Sequence, residues 1–166
     1  QIEKFIDSLV GTSTKPNAPG SMILVVQDGK ELIKKAYGLA NLELKVPLRT
    51  DHAFAIGSVT KQFTAFAILQ LVQNGKLSLS DDIRKYIPFY DTHGKVITIE
   101  NLLTHTSGIS GNLTQLRQEN VVDAHADNFL RYVMNFPLDF EPGTDYSYSN
   151  NGYRIAAIIV ERVSGQ

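Results

Sequence analysis

The chain has 166 residues, 43% hydrophobic and 20% charged, which fits one globular domain with at most a small second one. A chain of this length buries about 70% of the surface its unfolded form exposes, and the composition excludes a disordered tail, a collagen and a membrane bundle. Lys and Arg number 16 against 17 Asp and Glu, a formal net charge of -1, so no electrostatic footprint for nucleic acid or an anionic membrane surface is present.

Cysteine is absent, which excludes disulfide scaffolds, thiolate zinc sites and cysteine nucleophiles together. The longest apolar run, Phe66-Ala67-Ile68-Leu69, is far short of a membrane span. The chain starts at Gln1 rather than Met, so a leader or other N-terminal segment is expected to be missing from it.

Ile2, Phe5, Ile6, Leu9 and Val10 recur at helical spacing and predict a short amphipathic helix. Gly11 to Gly20 is rich in Thr, Ser, Pro and Gly and predicts a loop. Ser21 to Gln27 and Glu31 to Tyr37 flank Asp28-Gly29, a hairpin signal because Gly accepts the positive φ of a tight turn. Gly38 to Asp51 predicts irregular chain with Pro47 as a breaker. Ser58 to Asn74 predicts a helix apolar on most of its faces, hence buried on most sides, with Gly75 as its stop. Further helices are predicted at Asp81 to Tyr86, Thr98 to Thr104, Val121 to Met134 and Tyr153 to Val163. A lone hairpin leaves two open edges that helices cannot pair, so further strands are expected outside this chain.

Three segments can carry chemistry. In Ser58-Val59-Thr60-Lys61, residues three apart share a helix face, so Ser58 Oγ and Lys61 Nζ can meet. Serine needs a base, and a lysine in an apolar setting loses its proton more readily. The helix N-terminus would favour negative charge near Ser58. About one Ser-x-x-Lys is expected by chance in a chain this long; the plain alternative is an N-cap serine beside a solvated lysine. In Tyr148-Ser149-Asn150, a tyrosine near a lysine can shuttle a proton, and Asn150 can hold a substrate amide. The plain alternative is a tyrosine-rich turn with Asn150 or Asn151 as helix cap. In Leu102-Leu-Thr-His-Thr-Ser-Gly108, His105 can be an acid or base, or a histidine tied to backbone at a helix end; the second fits its setting better. His52, His93 and His125 are scattered with no His-Glu-x-x-His pair, and there is no Gly-x-Ser-x-Gly elbow and no nucleotide-binding glycine motif. Asn112-Leu-Thr114 has the form of a glycosylation site.

Ala55 to Thr64, Leu71 to Asp82, Tyr86-Ile-Pro88, Leu102 to Gly108, Pro142-Gly-Thr and Tyr148-Ser-Asn150 together resemble, in order and spacing, the class C β-lactamase family. That family also contains D-Ala-D-Ala carboxypeptidases, penicillin-binding proteins, esterases and aminopeptidases, and Ser-x-x-Lys is a signature of its serine enzymes. The resemblance implies an α/β fold of α+β type, an antiparallel sheet flanked by helices plus a helical region. Residues 1–50 would supply the N-terminal helix and first hairpin, and residues 51–166 the helical part with both motifs. It implies Ser58 as acylated nucleophile, Lys61 as its base or relay partner, Tyr148 as general acid/base and Asn150 as ligand of the substrate amide. The family's third motif, Lys-Thr-Gly or His-x-Gly, lies far downstream of Tyr-x-Asn; His93-Gly94 and His105 precede it. The chain is therefore expected to be the N-terminal part of a longer protein. One oxyanion donor would lie outside it, a loss of about 10²–10³ in rate. The 166 residues alone are expected to be weakly active or inactive, to fold poorly, or to pair their open edges with a second copy.

The expected function is a serine hydrolase working through an acyl-enzyme on a D-Ala-D-Ala peptide, a β-lactam or a small ester. The segment around Ser58 resembles the carboxypeptidase-like and esterase members more than a dedicated β-lactamase. No cofactor, metal or nucleic acid is implied. The location the resemblance implies is extracytoplasmic, or cytoplasmic for an esterase. The alternatives are a penicillin-binding sensor, a non-catalytic binding module, or an inactive fragment lacking the third motif.

Overall fold

The computed structural model describes residues 2–111 and 125–166. The chain divides into two compact units, Gln1–Ala55 and Ile56–Gln166.

In the first unit, α1 (Ile2–Ser13) turns Ile6 and Val10, one helical turn apart, inward. Ile2, Phe5 and Leu9 stay exposed. The helix runs past Gly11, where a loop was predicted, and Thr14 N still donates to Val10 O at 2.7 Å. Strands β1 (Ser21–Gln27) and β2 (Lys30–Tyr37) form the predicted antiparallel hairpin, with Ser21 opposite Tyr37 and Gln27 opposite Lys30. Asp28 (φ 50°) and Gly29 (φ 74°) make its turn in the left-handed region, as an Asp-Gly turn requires. A polar cluster ties α1 to β2: Lys35 Nζ lies 2.6 Å from Glu3 Oε1 and 3.0 Å from Asp7, and the Tyr37 hydroxyl donates to Asp7 at 2.8 Å. The stretch predicted as irregular holds a small ladder, β3 (Leu39–Asn41) with β4 (Val46–Pro47). It is too short for alternation to reveal, and Pro47 sits at its end, where a missing donor is tolerated.

In the second unit, a 3-10 turn at Gly57–Val59 leads into α2 (Thr60–Gln73). Ile68 and Leu71 of α2 are buried, but Phe63 and Phe66 are 61% and 62% exposed and Leu69 is 48% exposed. The expected burial on most sides is thus corrected to one face: among the described residues, the helices of this unit pack on the Ile68 and Leu71 side. Asp81 to Tyr86 is shorter than predicted, a single 3-10 turn at Ile83–Lys85 behind an Asp82 cap. Helix α3 (Ile99–Leu103) starts on a reciprocal capping box between Thr98 and Asn101. Helix α4 (Ala126–Val133) falls inside the segment predicted from Val121; residues 121–124 and the Asn112-Leu-Thr114 site lie outside the described residues.

The last helix, α5 (Asn150–Ser164), starts three residues ahead of the predicted Tyr153. Its cap is Ser149, whose side chain accepts from Gly152 N at 3.0 Å, and not Asn150 or Asn151. Ile155, Ala156, Ile158 and Ile159 of α5 meet Ile68 and Leu71 of α2, Leu102 of α3, and Phe129 and Leu130 of α4 in one buried cluster. Among the described residues no helix is long and apolar enough to cross a membrane.

Two consequences are measurable. Ile155 is 0% exposed, so Ile155→Ala should lower unfolding free energy by about 2–5 kcal/mol in urea titration. The Asp81 carboxyl is held down to about 2 by the Tyr86 hydroxyl first, then by Ser78 N–H and Lys85. A depressed folded pKa stabilises above the unfolded value of about 3.9, and the contribution vanishes as pH falls through the folded one. Thermal melts between about pH 4 and pH 2 should therefore steepen with acid, and Asp81→Asn should flatten that slope.

Candidate active site

Ser58 and Lys61 stand at the start of α2, and Tyr148 and Asn150 at the start of α5. The buried pairing of the two helices brings these four together across 90 residues of sequence. The Tyr148 hydroxyl donates to Ser58 Oγ at 2.7 Å, and Lys61 Nζ donates to Asn150 Oδ1 at 2.7 Å. The hydrogen bonds among described residues thus pair the two helices crosswise, rather than joining Ser58 to Lys61 within α2 as the spacing suggested. Lys61 Nζ also lies over the rings of Tyr148 and Tyr153, 4.6 and 5.5 Å from their centroids. Its surroundings are an amide oxygen and aromatic faces, which suit a cation, not the apolar setting expected for it.

That cation acts on its neighbour. Lys61 first, and the Ser58 hydroxyl second, pull the Tyr148 phenol below its ordinary value of 10, because both favour the phenolate. Tyr148 is 44% exposed, so a substrate can reach it. An open cleft of about 430 Å³ runs beside these groups, lined by Ser58, Lys61, Thr64, Asn150, Tyr153 and Ala157 among others. A larger cleft of about 530 Å³ in the first unit, around Leu39, Leu48 and Phe54, holds none of the four, so volume alone does not mark the site.

The segment from Leu103 to Gly111 fixes where Tyr148 and Asn150 sit. Thr106 O and Gly108 O accept from Gly143 N and Asp139 N, and His105 O accepts from Ser147 N. His105 Nδ1 accepts from Ser149 N at 3.1 Å, Ser110 O from Asn151 Nδ2 at 2.7 Å, and Leu103 O from the Tyr153 hydroxyl at 2.9 Å. A Cβ at Gly111 would stand 2.3 Å from Tyr148 O, so only glycine lets the two backbones approach. His105 is therefore a histidine tied to backbone past the end of α3. The sequence does not mark Gly111, or Ser149 as the cap: a glycine's close approach leaves no local signal, and Ser149 competes with two equally good caps. Among the described residues no group of His, Asp and Glu is placed to hold a metal ion.

Known proteins share both sequence and fold with this chain. The family model described as Beta-lactamase matches residues 2–166. Protein flp of Staphylococcus aureus (strain N315) is 34% identical over 170 aligned positions, covering 100% of this chain and 34% of its own length. Esterase EstB of Burkholderia gladioli is 32% identical over 163 positions, covering 89% of this chain and 41% of its own. The octameric penicillin-binding protein homologue from Pyrococcus abyssi superposes with a TM-score of 0.82 at 29% identity, over 99% of this chain and 40% of that one. The chain thus spans about a third to two fifths of the length of these relatives. With nearly every residue inside the family match and the fold shared with solved members, the chain belongs to the beta-lactamase family.

Proposed function

We propose that the protein is a serine hydrolase that works through an acyl-enzyme on Ser58. The observation that carries this reading is the 2.7 Å contact between the Tyr148 hydroxyl and Ser58 Oγ under the Lys61 cation. As phenolate, Tyr148 takes the Ser58 proton while Oγ bonds to the substrate carbonyl carbon. Tyr148 then returns that proton to the departing amine or alcohol as the bond to it breaks. Water completes the cycle. Tyr148 takes its proton, the hydroxyl attacks the acyl ester, and the proton passes to Ser58 as the acid leaves. The Lys61 amine over the Tyr148 ring lowers the energy of the phenolate. Its hydrogen bond to Asn150 Oδ1 fixes that amide, leaving Nδ2 to meet a substrate carbonyl.

The substrate is an amide or ester carbonyl. A carboxypeptidase-like or esterase activity, on a D-Ala-D-Ala-like peptide or small ester, is favoured over that of a dedicated β-lactamase, in keeping with relatives described as an esterase and a penicillin-binding protein homologue. A cell-wall peptide substrate would place the protein outside the cytoplasm.

Intact mass before and after a penicillin and an active-ester probe tests the reading. One acyl adduct mapped to Ser58 is expected, with turnover of the ester. No adduct, or one elsewhere, sinks it; a penicillin adduct that never clears points to a sensor. Tyr148→Phe should slow acylation by about 10²–10⁴. The acid limb of the rate profile should lie below the ordinary tyrosine value, since activity needs phenolate and its pKa is lowered. Lys61→Ala should move that limb upward; an unmoved limb would remove Lys61 from the mechanism.

A further inference from the structure

We infer that His105 is a positioning residue, a neutral clamp that holds Tyr148 against Ser58 and lets go when its imidazole takes a second proton. The inference rests on the roles proposed above for Ser58 and Tyr148. Both residues that flank Tyr148 bond to this one histidine: Ser147 N donates to His105 O at 3.0 Å and Ser149 N to His105 Nδ1 at 3.1 Å. The ring lies beside the Tyr148 ring, 4.6 Å between centroids and tilted 36°. It is held on its other sides by Tyr153 at 5.1 Å and by the edge of Tyr146 at 5.9 Å. To reach this position His105 adopts φ 61°, a left-handed conformation uncommon for a residue with a Cβ. An outlier of this kind persists where its surroundings over-determine it, as six cross-segment bonds do here.

The tautomer follows from the geometry. Nδ1 accepts, so the ring proton is on Nε2. A second proton on Nδ1 would set a donor against the Ser149 N–H and break the bond next to Tyr148. The titratable groups that face the ring are Lys61 from α2, Tyr146 and Tyr148 from the segment before α5, and Tyr153 from α5. Burial first, then the Lys61 charge, push the imidazole below its ordinary value of 6.5. The clamp is therefore closed at neutral pH and opens in acid, at lower pH than an ordinary histidine would allow.

The test uses His105→Phe, which keeps an aromatic ring and removes the acceptor, and His105→Asn, whose Oδ1 stands near the place of Nδ1. Acylation of Ser58 by the active-ester probe is followed by mass across pH, and spectra of the uniformly 15N-labelled parent protein are recorded for histidine rings and backbone amides. His105→Phe should lower the maximal acylation rate about 10- to 100-fold with half-saturation unchanged, the signature of lost alignment. His105→Asn should recover most of that loss. Its acid limb should stay at unit slope where the parent steepens below the histidine range. Parent spectra should show the Nε2–H tautomer, with the Ser149 amide shifting as His105 protonates.

Parental acylation by His105→Phe overturns the clamp and leaves the hydrolase reading standing. An Nδ1–H tautomer overturns the clamp by itself. Should His105→Phe fail to fold, the slope in His105→Asn and the tautomer decide. If the parent is not acylated at Ser58, the hydrolase reading falls, and the spectra alone uphold or overturn the histidine's hold on Ser149.

Discussion

The site depends on one hydrogen-bonded seam. Leu103 to Gly111 runs along the chain that leads into α5 and bonds to it at six places between Asp139 and Tyr153. Without that seam, Tyr148 would sit in a polar loop with nothing regular to hold it. Each bond is ordinary, worth about 1 kcal/mol net. Their value lies in number and direction, because they fix backbone on both sides of Tyr148 and so fix the tyrosine itself. Gly111 lets the seam close, since a Cβ there would stand 2.3 Å from the Tyr148 carbonyl oxygen.

The seam also explains which parts of the site the sequence revealed. Ser58, Lys61, Tyr148 and Asn150 were singled out by the ordered resemblance of their segments to a known family, since about one Ser-x-x-Lys is expected by chance in a chain this long. Their partnering was not visible. The three-residue spacing pointed Lys61 at Ser58, yet its amine reaches across to Asn150, since α5 brings a carbonyl oxygen within 2.7 Å. The helix cap was equally hidden, because Ser149, Asn150 and Asn151 are all good caps. Two of the three are drawn elsewhere, Asn150 to Lys61 and Asn151 to Ser110 O, which leaves Ser149 to cap.

The fold was legible where local rules decide it. Asp28-Gly29 marked the hairpin, Thr98 marked the start of α3, and the predicted Tyr153 to Val163 falls within α5. It was not legible where burial depends on what packs opposite. Apolar content predicted α2 buried nearly all round, whereas Phe63, Phe66 and Leu69 form an exposed stripe. A helix sequence records that a face is apolar and not what covers it. The hairpin repeats the lesson, with Met22, Leu24 and Val26 exposed on one face.

Packing and chemistry are coupled through α2 and α5. Ser58 and its hydroxyl partner Tyr148 lie 90 residues apart, so the ordering cost of bringing them together falls on the core and not on the site. Ile68, Ile155 and Ile159, all fully enclosed, hold the two helices in register one to three turns below the reacting groups. The electrostatics then need little further help. A half-buried amine over the phenol ring favours phenolate without leaving water entirely, so the desolvation penalty on a fully buried charge is avoided. The arrangement lowers the cost of phenolate at Tyr148 and surrounds the lysine with an amide oxygen and aromatic faces, neighbours that suit a cation.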